Sequence, residues 1–261
     1  DIAPGTTGAA VVTPGSIGPY SGVTPDGMIR PDNNNLSPRL GFSWKPRPKG
    51  KMIVRGGYGL FYDGSIYSRI PTRLGQQPPF ATSATFNTTA SAPLTILNPF
   101  QGPSDTTIRN SYAVSPDYVA PYAQTWSLSV QQEFKAHVIE AGYVATKGTR
   151  LVIQRLPNRA PVGSPSDSED RRPIPYAVGF TYDNPEGNSI LHSGQLRVSR
   201  RMRKGLTWNA MYTYSKSIDN ASSIGGTGNL VVQDDKNLAA ERGLSNFDRR
   251  HNFSFNTMAQ S

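Results

Sequence analysis

The residues that could do chemistry are few and scattered. Three histidines, His137, His192 and His251, lie in three separate segments, without the close spacing that brings two imidazoles onto one metal. They read as strand-end or lumen histidines. His137 and Glu140 are three apart, which on a strand sends them to opposite faces, so they form no acid–base pair. Asp167-Ser168-Glu169-Asp170 and Asp234-Asp235 offer hard oxygen ligands of the kind Ca²⁺ takes. Neither follows the EF-hand spacing, and both read as solvated loop charge. Gly225-Gly226-Thr227-Gly228 lacks the Lys-Ser/Thr pair of a phosphate loop and reads as a loop tip. Gly163-Ser164-Pro165-Ser166 does not fit a nucleophile elbow. The chain has no cysteine, which removes thiol nucleophiles, thiolate zinc sites and disulfides. No catalytic, metal or cofactor site follows from these residues, and no enzyme is expected.

The elements that would hold a site are plainer than any site. The 261 residues carry 27 Lys+Arg against 18 Asp+Glu, a net charge of +9. The basic residues are dispersed, with several in Arg197–Lys204 and at short turns, so nucleic acid is not an expected partner. No stretch approaches the ~18 consecutive apolar residues of a spanning helix. Residues 1–37 are rich in Gly, Pro, Asn and Thr and read as an irregular loop segment.

From residue 38 the hydrophobic pattern has a period of two. Leu40, Phe42 and Trp44 alternate with Gly41 and Ser43, and Met52, Val54, Tyr58, Leu60 and Tyr62 oppose Arg55, Gly57 and Gly59. Trp126, Leu128, Val130 and Phe134 share a face opposite Thr125, Ser127, Ser129, Gln131 and Glu133. Leu206, Trp208, Ala210, Tyr212 and Tyr214 oppose Thr207, Asn209, Thr213 and Ser215, and Phe253 and Phe255 repeat the pattern. Such alternation marks strands with one apolar and one polar face. With two noisier segments, 137–145 and 191–202, about seven strands are expected in an all-β chain.

Their connections alternate strictly in length. Pro46–Gly50, Lys135-Ala136 and Arg203–Gly205 are short, whereas 63–121, 146–190 and 219–250 are long. In an up-and-down antiparallel sheet this puts every short turn at one end and every long loop at the other. Compact soluble domains have median connections of about 4–6 residues. Transmembrane β-barrels pair short periplasmic turns with long extracellular loops.

The aromatics fall at two levels of the apolar faces. Trp44, Phe134 and Trp208 lie near the short turns, and Tyr62, Trp126, Tyr143 and Tyr214 lie toward the other end. Two such girdles bound the lipid-facing band of an outer-membrane barrel. Arg55, Thr125, Ser127, Gln131, Glu133, Arg197, Asn209 and Thr213 then face the lumen. Tyr67, Phe80, Phe86 and Phe100, in the first long loop, are candidates for ligand contact. A soluble β-sandwich would also alternate, but it explains neither the one-sided loops nor the two aromatic levels.

Asn35-Leu36-Ser37-Pro38-Arg39-Leu40-Gly41-Phe42-Ser43-Trp44 and the run Ile53–Asp63 resemble the barrel of TonB-dependent receptors, most of all the Oar-like type with a carboxypeptidase-regulatory-like domain. Gln124–Phe134, Tyr212–Ser217 and Asp248–Phe253 are similar to further strands of that family. The likeness covers roughly residues 33–260. It implies an antiparallel transmembrane β-barrel of about 22 strands, of which this chain supplies about seven. It also implies the cell outer membrane, contact with its lipid, energy-coupled import of an unknown ligand through a plugged barrel, and a TonB partner reached through an N-terminal part absent from these residues. The chain is therefore expected to be part of a longer polypeptide. A passive porin-like barrel and a secreted β-sandwich adhesin or carbohydrate-binding module remain the alternatives.

Overall fold

Seven long strands carry the period-two pattern, and they lie side by side in chain order. The structure is a computed structural model and describes residues 10–77, 80, 81, 86, 88, 90, 93–100, 108, 109, 111–168, 170–174, 177, 178, 180–220, 232–234 and 237–260. The elements in order are β1 (Ile17–Gly18), β2 (Gly22–Val23), β3 (Arg39–Trp44), β4 (Met52–Tyr62), α1 (Ile66–Leu74), β5 (Ile108–Arg109), β6 (Tyr112–Val114), β7 (Tyr122–Phe134), β8 (His137–Arg155), β9 (Ala177–Val178), β10 (Thr181–Arg203), β11 (Leu206–Asp219), β12 (Gly243–Leu244) and β13 (His251–Ala259). The long strands form the path β13-β11-β10-β8-β7-β4-β3, an up-and-down meander whose sheet does not close on itself.

Two turns show why the register is fixed. Lys204 and Gly205 both take positive φ, 52° and 71°, as a two-residue hairpin between right-twisted strands requires. A Cβ on Gly205 would fall 2.2 Å from the Gln260 carbonyl oxygen, so only glycine fits there. Lys135 turns the β7–β8 hairpin with φ 54°. These turns lock β7 to β8 from Phe134↔His137 to Tyr122↔Thr149, and β10 to β11 from Arg203↔Leu206 to Ser189↔Asp219 with one irregularity at Arg200–Arg203.

The chain divides into two compact units. One comprises 32–64, 119–153 and 185–261 and holds most of the long sheet. The other comprises 1–31, 65–118 and 154–184 and is drawn mainly from the long connections. It has a core of its own: Ile70, Tyr112, Val114, Tyr118, Ile174 and Phe180 are buried.

Several expected boundaries change. β8 runs on to Arg155 and β10 starts at Thr181, so the connection expected over 146–190 is 156–180. Residues 1–37 include the β1–β2 hairpin, with Gly22 at φ 79°. The 63–121 connection contains α1, β5 and β6, and 219–250 contains β12. The compact units also cut the chain differently from a linear division at 37/38.

Candidate functional site

The strand register assembles one continuous apolar face. Trp44, Val54, Val130 and Ala141 form one row across four strands. Phe42, Gly56, Leu128 and Tyr143 form the next, and Leu40, Tyr58, Trp126 and Ala145 a third. On the other strands Leu196, Tyr212 and Phe253 align, as do Val198, Ala210 and Phe255. A glycine lies under one of the rings: a Cβ on Gly56 would clash with the Phe42 ring. This face is open. Leu40 is 73% exposed, Phe134 62% and Phe253 66%, and Leu128, Val130 and Phe255 are exposed as well. A soluble monomer seldom exposes a contiguous apolar patch of more than a few hundred Å².

The aromatics read from the sequence all lie on this face. Phe134 is in register with His137, whose ring packs on Trp208 at 5.8 Å between centroids. Tyr62 is opposite Tyr122, with centroids 5.6 Å apart. The histidines keep the strand-end half of their reading at His137 and His251, the first residues of β8 and β13, and lose the lumen half. None is on the polar side: His192 Nδ1 lies 2.6 Å from the Tyr143 hydroxyl and His251 Nδ1 2.7 Å from that of Tyr212, on the apolar face. A lumen placement read from residue type alone missed the parity of the strand positions.

The opposite face is polar and cross-linked between strands. Arg55 Nη1 donates to Gln131 Oε1 at 2.9 Å, Arg197 Nε to Asn209 Oδ1 at 2.7 Å, and Arg201 Nη1 to Glu133 Oε1 at 2.7 Å. The Thr125 hydroxyl lies 3.3 Å from that of Thr146. Ser127 is in register with Gly57, and Thr213 with Gln195 and Asn252. Each of these arginines thus has an oxygen acceptor on another strand.

The second unit contains a cavity of about 480 Å³. Its wall is apolar, built from Tyr67, Ile70 and Leu74 of α1 with Met28, Ile29 and Phe80. Helix α1 carries Pro71 in its interior, and Ser65 at its N-terminus gives it no side-chain cap. Packing of Ile70 (3% exposed) therefore holds it more than propensity does. Arg30 also lines the cavity and donates through Nη1 to Asp117.

A buried polar cluster stiffens the same unit. The Asp183 carboxylate is fully buried, accepts from the Tyr112 hydroxyl at 3.0 Å and from Gln154 Nε2 at 3.2 Å, and pairs with Arg69 at 3.4 Å. Burial, and then the Asp183 charge, push the Tyr112 phenol well above the usual tyrosine range.

Of the four loop aromatics expected to meet ligand, Tyr67 and Phe80 line the cavity, while Phe86 and Phe100 pack edge-to-face on each other at 5.6 Å. Met28, Ile29, Ile70 and Leu74 were not foreseen as lining. The spacing of Ile66, Ile70 and Leu74 at every fourth position was the available signal for α1. Asp167 pairs with Arg171 at 3.0 Å, and among the described residues no three His, Asp or Glu side chains gather as a metal site. Glu169, Asp235 and the Gly225–Gly228 run lie outside the described residues.

Compared with known proteins, residues 2–261 match the family model described as an outer membrane beta barrel domain. Among solved structures, the chain is similar to the outer membrane transporter YddB of Escherichia coli, at 18% identity and a TM-score of 0.45 over 73% of this chain and 21% of that one. It is also similar to the FrpB iron transporter of Neisseria meningitidis (F3-3 variant), at 13% identity and a TM-score of 0.36 over 70% of this chain and 20% of the other. The chain thus spans about a fifth of the length of either transporter. No curated protein matches it.

Proposed function

The chain belongs to the outer membrane beta barrel domain family, and from that premise we propose that it supplies part of the wall and the ligand-capturing loops of a TonB-dependent receptor of the Oar-like type. The open apolar face between two aromatic levels is the observation that carries this reading. In water it would drive aggregation; in a bilayer the acyl chains cover it. On this reading Trp44, Phe134 and Trp208 meet one interface and Tyr62, Trp126, Tyr143 and Tyr214 the other. Arg55, Thr125, Ser127, Gln131, Glu133, Arg197, Asn209 and Thr213 line the lumen, where their strand-to-strand hydrogen bonds keep the wall polar toward water and a plug.

Ligand capture falls to the long connections, which we assign to the extracellular side. Their cavity of about 480 Å³ lies within the ~300–1,000 Å³ of small-molecule sites. Its apolar wall favours a ligand with an aromatic or aliphatic body, gripped by Tyr67 and Phe80. The energy coupling rests on the resemblance of residues 33–260 to TonB-dependent receptors: the TonB complex would pull on a plug domain of the longer polypeptide and open the lumen.

The test is import by cells producing the full-length protein, fed a labelled mixture of small apolar metabolites. Import that stops when the proton gradient is collapsed, and that weakens in Tyr67→Ala and Phe80→Ala, is the expected result. Uptake indifferent to the gradient would favour a passive porin-like barrel and refute the energy coupling.

A further inference from the structure

We propose that the cavity of the long connections takes an α-amino acid with a large apolar side chain, whose zwitterionic head is held at the rim by Arg30 and Asp117. The proposal rests on the reading above that this cavity captures the ligand. Among the described residues that line it, Arg30 alone carries a charge. Its Nη1 donates to an Asp117 carboxylate oxygen. The two side chains are 53% and 74% exposed, so both charges of the pair are open to a ligand. The cations of α1 are engaged elsewhere: Arg69 pairs with the buried Asp183 at 3.4 Å, and the Arg73 guanidinium lies 5.2 Å from the centroid of the Tyr112 ring.

The backbone places the pair before any ligand arrives. The Arg30 N–H donates to the Pro116 carbonyl at 2.8 Å, which sets Arg30 beside the residue that follows, Asp117. The Met28 N–H closes the turn before it on the Pro25 carbonyl, also at 2.8 Å. Pro31 and Pro116, whose rings fix φ, adjoin the two charged residues. Less backbone freedom is then left to lose on binding.

The ligand chemistry follows from a rim that is neutral as a whole. A lone carboxylate would gain Arg30 but meet Asp117, and a lone ammonium would gain Asp117 but meet Arg30. A head that carries both charges gives each its opposite. The guanidinium fork has N–H donors beyond Nη1, and the Asp117 carboxylate has lone pairs beyond the one Arg30 uses, so the head can join the pair without breaking it. The two charges of a contact pair are adjacent, as they are on an α-carbon, whereas a peptide separates its terminal charges. The apolar side chain then enters the wall of Met28, Tyr67, Ile70, Leu74 and Phe80, where leaving water favours it.

The test uses the full-length protein extracted from outer membranes in mild detergent, with folding checked by heat-modifiable migration. Four probes share one phenyl body: L-phenylalanine, L-phenylalaninamide (ammonium only), 3-phenylpropanoate (carboxylate only) and 3-phenylpropanol (no charge). Wild type should bind phenylalanine about fivefold more tightly than either singly charged probe, the upper worth of one exposed ion pair. In R30Q the order should invert, with the amide ahead of phenylalanine. In D117N the propanoate should lead instead.

No preference for phenylalanine in wild type would overturn the proposal, as would an unchanged order in R30Q and D117N. So would an equal fall for all four probes, which is the mark of a purely structural role. The propanol reads the cavity separately. If its binding weakens in Tyr67→Ala while phenylalanine gains no preference, the cavity captures ligand and the assignment of the rim fails. If the propanol does not bind, or binds Tyr67→Ala as it binds wild type, the cavity reading falls and the proposal falls with it.

Discussion

Replacing Val130 by arginine puts the two faces of the sheet in direct competition. Val130 is on the apolar face, flanked in register by Val54 and Ala141. It is four residues from Trp126 and four from Phe134. At ~3.3 Å per residue and a ~40° tilt, either aromatic level is about 10 Å away along the barrel axis. An arginine at that depth must hold its charge in hydrocarbon or bend the bilayer to reach a headgroup, a cost of about 2–4 kcal/mol at the midplane of a barrel. On an ordinary wet sheet the same change would stay within about 0.5 kcal/mol. Ser129→Arg is the paired control, one residue away on the polar face. It faces Arg55 directly, and like charges opposed across strands cost up to about 1 kcal/mol. The expected order is therefore Val130→Arg well above Ser129→Arg, read by urea unfolding of the full-length protein reconstituted in vesicles. Equal costs for the two, or a Val130→Arg variant as stable as wild type, would refute the face assignment.

Other outcomes follow from the same contacts. Glu133→Gln removes the carboxylate that Arg201 meets at 2.7 Å. The pair is largely exposed on the arginine side, so the loss should be only about 0.2–1 kcal/mol and should shrink in high salt, as urea midpoints at two ionic strengths will report. Gly56→Ala puts a methyl group where the far end of the exposed Phe42 ring lies, so the ring must swing aside and the cost should be about 1 kcal/mol in the same unfolding assay, less when combined with Phe42→Ala. Tyr112 has a raised folded-state pKa, so its contribution to stability is complete below the ordinary tyrosine value near pH ~10 and is lost as pH rises above it. Ultraviolet titration should find a tyrosine that ionises only as the structure opens, and Asp183→Asn should bring that ionisation to lower pH.

The long sheet was legible because lipid and water impose opposite demands on successive residues. From Trp126 to Phe134 the parity is broken only at Gln132, and all seven long strands lie where such alternation occurs. The pattern fades where that demand ends. Thr146, Lys147, Thr149 and Arg150 are polar on both faces, so the continuation of β8 to Arg155 leaves no period to read. Helix α1 was hidden by Pro71 in its interior. Its every-fourth spacing of Ile66, Ile70 and Leu74 was a signal in the sequence, but the Met28 and Ile29 segment that shares the cavity wall is far away in the chain. The lumen alternative for the histidines ignored parity: His192, inside β10, and His251, at the start of β13, are amphipathic partners for tyrosine hydroxyls.

The most direct measurement is a nitroxide scan of residues 126–134, one cysteine at a time, in a chain that has no cysteine of its own. The full-length protein is reconstituted in bilayers, and collision rates with oxygen and with a water-soluble nickel chelate are compared. The account predicts a period of two, with oxygen dominating at 128 and 130 and the chelate at 127, 129 and 131. Chelate access at every position, or no alternation, would contradict a lipid-facing wall.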